Sequence, residues 1–241
     1  MKNKLALLSG ILCIGLVIAF IFYTGKDNQK KEGYTTTGFA MGTAVTVSVY
    51  SDQGRQDADA VIDCVSRLER EQISWRIEGS EVYRVNHEYK AGEPYEISYD
   101  LAYAVLQERE VSEAGDDLLA LTIRPLASCW GIEDGKKQVP ETQKIEEACS
   151  AVDDSKVHIV DEQGKELTQV SDLSENGTWY VLFDEAGLSL DFGAMGKGIA
   201  CDRVAENLEE NQVEGACVAV GGSALCYGAK PDGSVFRIGI R

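Results

Sequence analysis

The sequence contains only two histidines, His87 and His158, and none of its seven cysteines forms a Cys-x-x-Cys pair. Zinc sites need Cys and His ligands clustered at short spacing, so this pattern disfavours a zinc protein. Basic residues are also few, because 23 Lys and Arg stand against 40 Asp and Glu and give a formal charge of −17. Proteins bind nucleic acid mainly by neutralising phosphates with Lys and Arg. We therefore expect no nucleic-acid partner.

The remaining composition is that of a folded chain. Hydrophobic residues make up 44% of the sequence and charged residues 26%, which is ordinary globular usage. A length of 241 residues suffices for one large domain or at most two small ones. The cysteines read as small core residues or as pairs formed in an oxidising compartment, and their spacing does not decide between the two.

A long uncharged run lies near the N-terminus. Residues 5–23 are nineteen residues without a charged side chain. At about 1.5 Å per residue, such a helix just crosses a hydrocarbon core of roughly 30 Å. A cleaved signal peptide is the alternative, but residues 20–23, Phe-Ile-Phe-Tyr, are a poor match to its small-residue exit. We predict a membrane anchor or signal segment over residues 1–25, with the body outside the cytoplasm at the cell membrane, and a polar tether over residues 26–37.

Hydrophobic periodicity predicts an α+β body, with helices first and a mixed or antiparallel sheet after them. Four segments show helical spacing or helix-start residues: 57–73, 100–113 with Ser98 or Asp100 as its cap, a segment that opens at 140–142, and 198–210. Short apolar or alternating runs predict strands at 43–50, 157–161, 178–184, 188–192, 216–222 and 235–240.

A glycine-rich junction at residues 191–198, Asp-Phe-Gly-Ala-Met-Gly-Lys-Gly, is the most informative stretch. Three glycines separate a predicted strand from a helix that carries Lys197 in its first turn. Such a junction aims backbone N–H groups and the positive end of a helix dipole at one place, which suits a phosphate. Asp191 adds a carboxylate that could orient a ligand or hold a cation. The glycine spacing matches neither a P-loop nor a dinucleotide fingerprint, so a plain tight connection remains an alternative.

Three other patches carry candidate binding residues. Met41 and Gly42 precede the strand at 43–50, and Trp75 and Arg76 follow a predicted helix. Trp75 could stack on a planar ligand, although a buried Trp is the commoner outcome. The third patch places Arg124 before a proline, and we predict a strand or a turn there.

Five motifs in this order resemble one family. They are Ala-Met-Gly-Thr at 40–43, Ile-Ser-Trp-Arg at 73–76, Leu-Thr-Ile-Arg-Pro-Leu at 121–126, Asp-Phe-Gly-Ala-Met-Gly-Lys-Gly-Ile-Ala-Cys-Asp at 191–202 and Ala-Val-Gly-Gly-Ser-Ala-Leu at 219–225. The series resembles the FAD:protein FMN transferase family, the ApbE-like flavin transferases. The resemblance implies a single ApbE-like domain over residues 38–241 whose C-terminal part is missing. It also implies a transferase that splits FAD with a divalent metal, usually Mg²⁺, and releases AMP. Its partner would be a target flavoprotein, such as a membrane redox-pump subunit, that receives FMN on a Thr or Ser.

The resemblance also implies roles for particular residues. Met41 matches a flavin-contacting methionine, and the FAD-contacting aromatic position falls at Trp75 or Arg76. The segment Leu118, Leu119 and Ala120 matches a nucleotide-contacting segment of the family. Asp191 and Lys197 match two further FAD contacts, and Ala194 matches a residue whose backbone carbonyl binds the metal. No catalytic residue is assigned.

Two departures from the family pattern keep alternatives open. Ala120 stands where relatives carry Asp, and Asp117 stands where they carry Gly. Relatives also continue beyond the equivalent of residue 241 with an Asp and a Thr that complete the metal site. The sequence is therefore either a fragment of a longer product or a degenerate short homologue. A non-catalytic, membrane-tethered FAD-binding protein is the alternative function, and a solute-binding domain of unrelated fold would leave the glycine junction unexplained.

Overall fold

The computed structural model describes residues 33–116, 118–132, 135, 139–174 and 176–240. Its first sheet contains four strands in the order β1-β2-β7-β8, and every neighbouring pair is antiparallel. The strands span Tyr34–Ala40 (β1), Thr43–Tyr50 (β2), Gly215–Val220 (β7) and Ser223–Gly228 (β8).

The second sheet is also antiparallel, with the order β3-β6-β4-β5. Its strands are short and span Tyr95–Ile97 (β3), Val157–Asp161 (β4), Glu166–Leu167 (β5) and Trp179–Phe183 (β6). Both sheets are thus antiparallel. Of the mixed and the antiparallel sheet that the sequence predicted, the antiparallel form is the one observed.

Six α-helices occur in the described part of the chain. They span Gly54–Arg67 (α1), Glu81–Glu88 (α2), Tyr99–Ala114 (α3), Arg124–Cys129 (α4), Thr142–Ser150 (α5) and Gly196–Glu210 (α6). A π-helical segment, Leu68–Ile73, continues α1. Ser98 caps α3 by accepting a hydrogen bond from the Leu101 N–H at 3.1 Å, so of the two predicted caps Ser98 is the one observed.

Alternation along the strands builds the core of the first sheet. Val45, Val47 and Val49 of β2 are fully buried, while their neighbours along the strand are partly exposed. Helix α1 packs against β1, β2 and α6, and it buries Val61 and Val65 in the same hydrophobic cluster. The core thus joins the first sheet to α1 and to α6, the helix that begins within the glycine junction.

Four sequence predictions need correction. Residues 34–37, predicted as tether, already belong to β1, where they pair with residues 46–49 of β2. Residues 188–192 lie outside regular strands, and residues 235–240 form no strand and leave Val235 70% exposed and Ile240 97% exposed. Arg124 begins a short helix instead of a strand or turn, since Pro125 occupies a first-turn position where its missing N–H is tolerated.

No helix in the described ranges is long and apolar enough to cross a membrane. The predicted anchor, residues 1–25, lies outside those ranges.

Candidate functional site

Two tight turns meet at one end of the first sheet. Met41 and Gly42 join β1 to β2 with φ angles of 53° and 67°, which is the two-residue hairpin geometry that matches strand twist. Antiparallel pairing of Val45 with Val220 brings the β7–β8 turn to the same end. The Gly221 N–H donates to the Ala44 carbonyl at 3.0 Å. The sheet therefore presents Met41 at a fixed edge.

The π-helical segment after α1 supports that edge. Its Glu69 carboxylate accepts a hydrogen bond from the Met41 N–H at 2.6 Å, so the strained turn is held by a charged acceptor. The segment ends at Ile73, and Ser74 takes an extended conformation. The Ser80 hydroxyl donates to the Ser74 carbonyl and also accepts from the Tyr83 N–H at the start of α2. These contacts fix the loop that carries Trp75 and Arg76.

The glycine junction is ordered by its own side chain and backbone. The Asp191 carboxylate accepts a hydrogen bond from the Gly193 N–H at 2.7 Å, which is an Asx-type turn. The Asp191 N–H donates to the Leu121 carbonyl at 2.8 Å. The Phe192 carbonyl accepts from the Met195 and Gly196 N–H groups, and α6 starts at Gly196. Asp191 thus shapes the junction from within it.

Gly196 lets three segments approach closely. A Cβ atom there would lie 3.1 Å from Ile73 Cδ1 and 3.4 Å from Met41 Cε. The glycine therefore brings the start of α6 against both the π-helical segment and the hairpin turn. This close approach is explained by packing alone, without a bound phosphate, and it leaves Lys197 and Trp75 lining the same cleft.

The three segments enclose a cleft of about 190 Å³. Its lining comprises Met41, Glu69, Ile73, Ser74, Trp75, Arg76, Phe192, Gly193, Gly196 and Lys197. A second cleft of about 540 Å³ shares Trp75 and Arg76 with the first and is otherwise lined by Tyr83, Asn86, His87, Arg124 and Ser189. Together they have the size range of small-molecule and cofactor sites.

The lining of both clefts is cationic. Arg76, Arg124 and Lys197 contribute three positive charges, while Glu69 contributes the one carboxylate of the two lining sets. The Arg124 guanidinium lies 3.2 Å from the centroid of the Trp75 ring, and that of Arg76 lies 5.2 Å away. These are cation–π distances. An acidic protein therefore carries a locally positive, aromatic cleft that complements a phosphorylated ring compound.

The structure brings some predicted site residues together and separates others. Met41, Trp75, Arg76 and Lys197 line the clefts. Asp191 lies in the glycine junction and lines neither of these two clefts. The other predicted contacts lie elsewhere: Leu118 is 90% exposed, Leu119 and Ala120 line a separate cavity of about 510 Å³, and Ala194 is exposed on the junction.

The sequence analysis does not single out Glu69, and it assigns no role to Asn86, although Asn86 ends the stretch at 80–86 that follows the Ile-Ser-Trp-Arg motif; both residues organise the site. The Asn86 side chain donates to the Leu190 carbonyl at 2.9 Å and accepts from the Leu190 N–H at 2.8 Å. The Asn86 amide therefore satisfies both backbone groups of Leu190, as a paired strand residue would. A polar residue on the buried side of an amphipathic helix was the signal available in the sequence.

Among the residues that the structure describes, no group of three or more His, Cys, Asp or Glu side chains could hold a metal ion. The carbonyl of Ala194, an exposed residue, is one oxygen, whereas magnesium takes six ligands in near-octahedral geometry. The described residues by themselves do not fit a magnesium site.

Comparison with known proteins agrees with these motifs. The family model described as "ApbE family" matches residues 41–241, which is most of the chain. The chain belongs to the ApbE family. This confirms the family resemblance that the five motifs indicate.

Curated relatives of this ApbE-family chain are named FAD:protein FMN transferase. The protein from Haemophilus influenzae is 22% identical over 241 residues, which cover 97% of this chain and 64% of the relative. The protein from Vibrio cholerae is 25% identical over 228 residues, which cover 93% of this chain and 64% of the relative. The chain thus spans less than two thirds of the length of either relative.

A solved structure, the flavin transferase ApbE from Vibrio cholerae, matches the fold with a TM-score of 0.72 at 21% identity. The match covers 87% of this chain and 63% of that one. This likeness confirms the predicted α+β fold with antiparallel sheets and helices.

Proposed function

We propose that the protein transfers FMN from FAD to a Thr or Ser hydroxyl of a target flavoprotein and releases AMP. The observation that carries this proposal is the cationic cleft at which Met41, Trp75 and Lys197 meet beside the start of α6. Its chemistry suits an aromatic ring joined to a pyrophosphate, and relatives over the same residues are named for this transfer.

In this proposal Trp75 and Met41 contact ring systems of FAD, and the pyrophosphate lies toward Lys197 and the first N–H groups of α6. Positive charge at that point stabilises the charge that develops on phosphorus oxygens and on the leaving AMP. The target hydroxyl attacks the phosphorus of the FMN half, the bond to the AMP oxygen breaks, and the hydroxyl proton is released. Glu69 holds the Met41 turn in place through its hydrogen bond.

Magnesium enters the proposal as a required ion. When bound, it would neutralise pyrophosphate charge, and the Ala194 carbonyl would supply one of its oxygen ligands. The described residues do not form a complete magnesium site.

The direct test incubates the full chain with FAD, Mg²⁺ and a target flavoprotein and follows covalent flavin by in-gel fluorescence and mass. We expect a flavin-labelled target that disappears when EDTA is added. The proposal of transfer fails if FAD binds and no label forms on any Thr or Ser.

Binding is tested separately by the quenching of FAD fluorescence. We expect Lys197→Ala and Trp75→Ala each to weaken FAD binding by about tenfold or more, since a charged contact or a stacked ring contributes roughly 1–3 kcal/mol. Lys90→Ala is the matched control, because Lys90 pairs with Glu93 on another surface. Unchanged affinity in both cleft variants would reject the cleft as the FAD site.

A second candidate function is FAD binding without transfer. It is favoured by Ala120, which stands where the family resemblance implies Asp, and by the incomplete set of metal ligands among the described residues. Tight FAD binding with no transfer under the conditions above would select this function.

We also propose that residues 1–25 anchor the chain in the cell membrane, with the body outside the cytoplasm and a membrane redox-pump subunit as its target. The uncharged run at 5–23 supports the anchor. Protease added to intact cells should digest the body, and carbonate washing should leave the chain in the membrane fraction. A body that is protected in intact cells would reject this orientation.

A further inference from the structure

Two cysteines face each other across the β7–β8 hairpin. The register pairs Cys217 directly with Cys226. Among the strands that the structure describes, these are the two cysteines that occupy opposed positions, and the structure has both as free thiols.

The turn of this hairpin fixes the type of pair. Gly221 and Gly222 form a two-residue connection, so Val220 and Ser223 are the closing pair and are joined by the hydrogen bond of a β-turn. Hydrogen-bonded and non-hydrogen-bonded pairs alternate along an antiparallel ladder. Counting from the turn, Cys217 and Cys226 form a non-hydrogen-bonded pair. In such pairs the Cα atoms lie about 4.5 Å apart, within the range of roughly 4.4–6.8 Å that a disulfide spans.

The pair is also accessible. Ala216 and Val218 on either side of Cys217 are fully buried, so the Cys217 side chain lies on the sheet face opposite the core, where it is partly exposed. Cys226 is exposed on β8, an outer strand of the sheet. Burial, followed by the neighbouring Cys226, raises the pKa of the Cys217 thiol, and Lys230 opposes that shift. The more accessible Cys226 therefore meets an external reagent first.

We propose that Cys217 and Cys226 form a reversible dithiol–disulfide site, oxidised by exchange with a disulfide such as oxidised glutathione or an exposed protein disulfide. The Cys226 thiolate attacks one sulfur of the oxidant, and the first thiol of the oxidant leaves. The Cys217 thiolate then attacks Cys226 Sγ, forms the internal S–S bond and expels the second thiol. Two protein thiols are oxidised, one disulfide is reduced to two thiols, and two protons move with them.

The two cysteines lie outside the proposed FAD cleft, and their oxidation would stabilise the pairing of the outer strand of the first sheet. A bond between the two strands would fasten the outer strand β8 to β7, which pairs with β2. We therefore expect the oxidised form to resist proteolysis in the hairpin more than the reduced form does, and to regain its sensitivity after reduction.

The experiment equilibrates the full chain with glutathione at several ratios of oxidised to reduced form, blocks free thiols with an alkylating reagent and measures peptide masses. Residues 204–237 contain both cysteines and no internal Lys or Arg except Lys230 before Pro231, so trypsin keeps the pair in one peptide. We expect this peptide to be about 2 Da lighter than its reduced form, to carry no alkyl group, and to take up two after reduction.

The Cys217→Ser variant separates the two steps. It should retain glutathione on Cys226, because no second thiol is present to expel it, whereas Cys129→Ser should behave as the wild-type chain. In the wild-type chain, alkylation of both cysteines at every ratio would overturn the proposal. Linkage of either cysteine to a different cysteine, or a lasting glutathione adduct, would overturn it as well.

Discussion

Replacement of Glu108 by Gln tests how much the ionisation of a buried carboxyl group destabilises the folded chain. Glu108 lies on α3 with only 3% of its surface exposed, and its Oε1 has no hydrogen-bond partner. It lines the cavity of about 510 Å³. Burial, and then the nearby Asp154 carboxylate, raise its pKa from 4.5 to about 7, while Arg109 opposes the shift.

The sign and size of the effect follow from these two pKa values. Below pH 4.5 both the folded and the unfolded chain hold the proton, so the buried group is neutral without penalty. Between pH 4.5 and 7 the unfolded chain loses the proton first, and the free energy of unfolding falls as the pH rises. Above about pH 7 the full penalty applies. A shift from 4.5 to about 7 corresponds to about 3 kcal/mol.

The assay is urea denaturation of both proteins at several pH values from 4.5 to 8. Gln has nearly the shape of Glu and cannot ionise. The unfolding free energy of Glu108→Gln minus that of the wild type should therefore rise by about 3 kcal/mol across this range. Glu113→Gln is the matched control for the loss of a carboxylate at this cavity, because Glu113 lines the same cavity with an exposed side chain. A difference for Glu108→Gln that does not change with pH would refute the reasoning.

Three further predictions concern two residues that shape the site and one histidine of the second sheet. Asn86→Ala removes both hydrogen bonds to Leu190 and leaves the backbone groups of Leu190 unsatisfied. Urea denaturation should therefore show that the free energy of unfolding falls by about 2–4 kcal/mol. A fall of less than about 0.5 kcal/mol would contradict a stabilising role for these two hydrogen bonds. Gly196→Ala should weaken FAD binding because its Cβ would meet the π-helical segment at 3.1 Å. Gly239→Ala is the control, because a Cβ there has nothing within 4 Å and Gly239 lines neither cleft; equal affinities of the two variants would show that close approach at Gly196 is not required. Burial opposes protonation of His158, yet hydrogen bonds to two flanking carboxylates raise its pKa overall. Its stabilising contribution should therefore be present below pH 6.5 and be lost at higher pH, and NMR titration of the imidazole should give a pKa above 6.5; a value below 6.5 would reverse the sign.

The strands and helices that the sequence predicted best carry a strong periodic pattern of their own. The strand at 43–50 coincides with β2, and the helix at 100–113 matches α3 closely. Residues 235–240 have an equally apolar pattern, but the structure leaves all of them except Phe236 exposed and forms no strand there. A pattern specifies which face a strand would bury, and it does not supply the partner strand with which it must pair.

The site could be predicted only where the contributing residue is close in sequence to a recognisable motif. Trp75 and Lys197 were found in this way, and they do line one cleft. The contact between the Arg124 guanidinium and the Trp75 ring joins residues far apart in the chain. It depends on the short helix α4, which replaces the predicted strand or turn. Glu69 was missed because its role follows from the hairpin turn that it holds.

The charge of the chain illustrates why local arrangement outweighs composition. A formal charge of −17 argues against an anionic ligand only if that charge acts over the whole surface. At physiological ionic strength, interactions between exposed charges are screened beyond about 8 Å. A pyrophosphate in the cleft would therefore interact mainly with Arg76, Arg124 and Lys197, opposed by the one carboxylate of the lining, which already accepts the Met41 N–H. Because the local balance is positive, raising the salt concentration should weaken FAD binding despite the negative net charge. FAD affinity that rises with salt would mean that repulsion by the acidic surface dominates at the cleft.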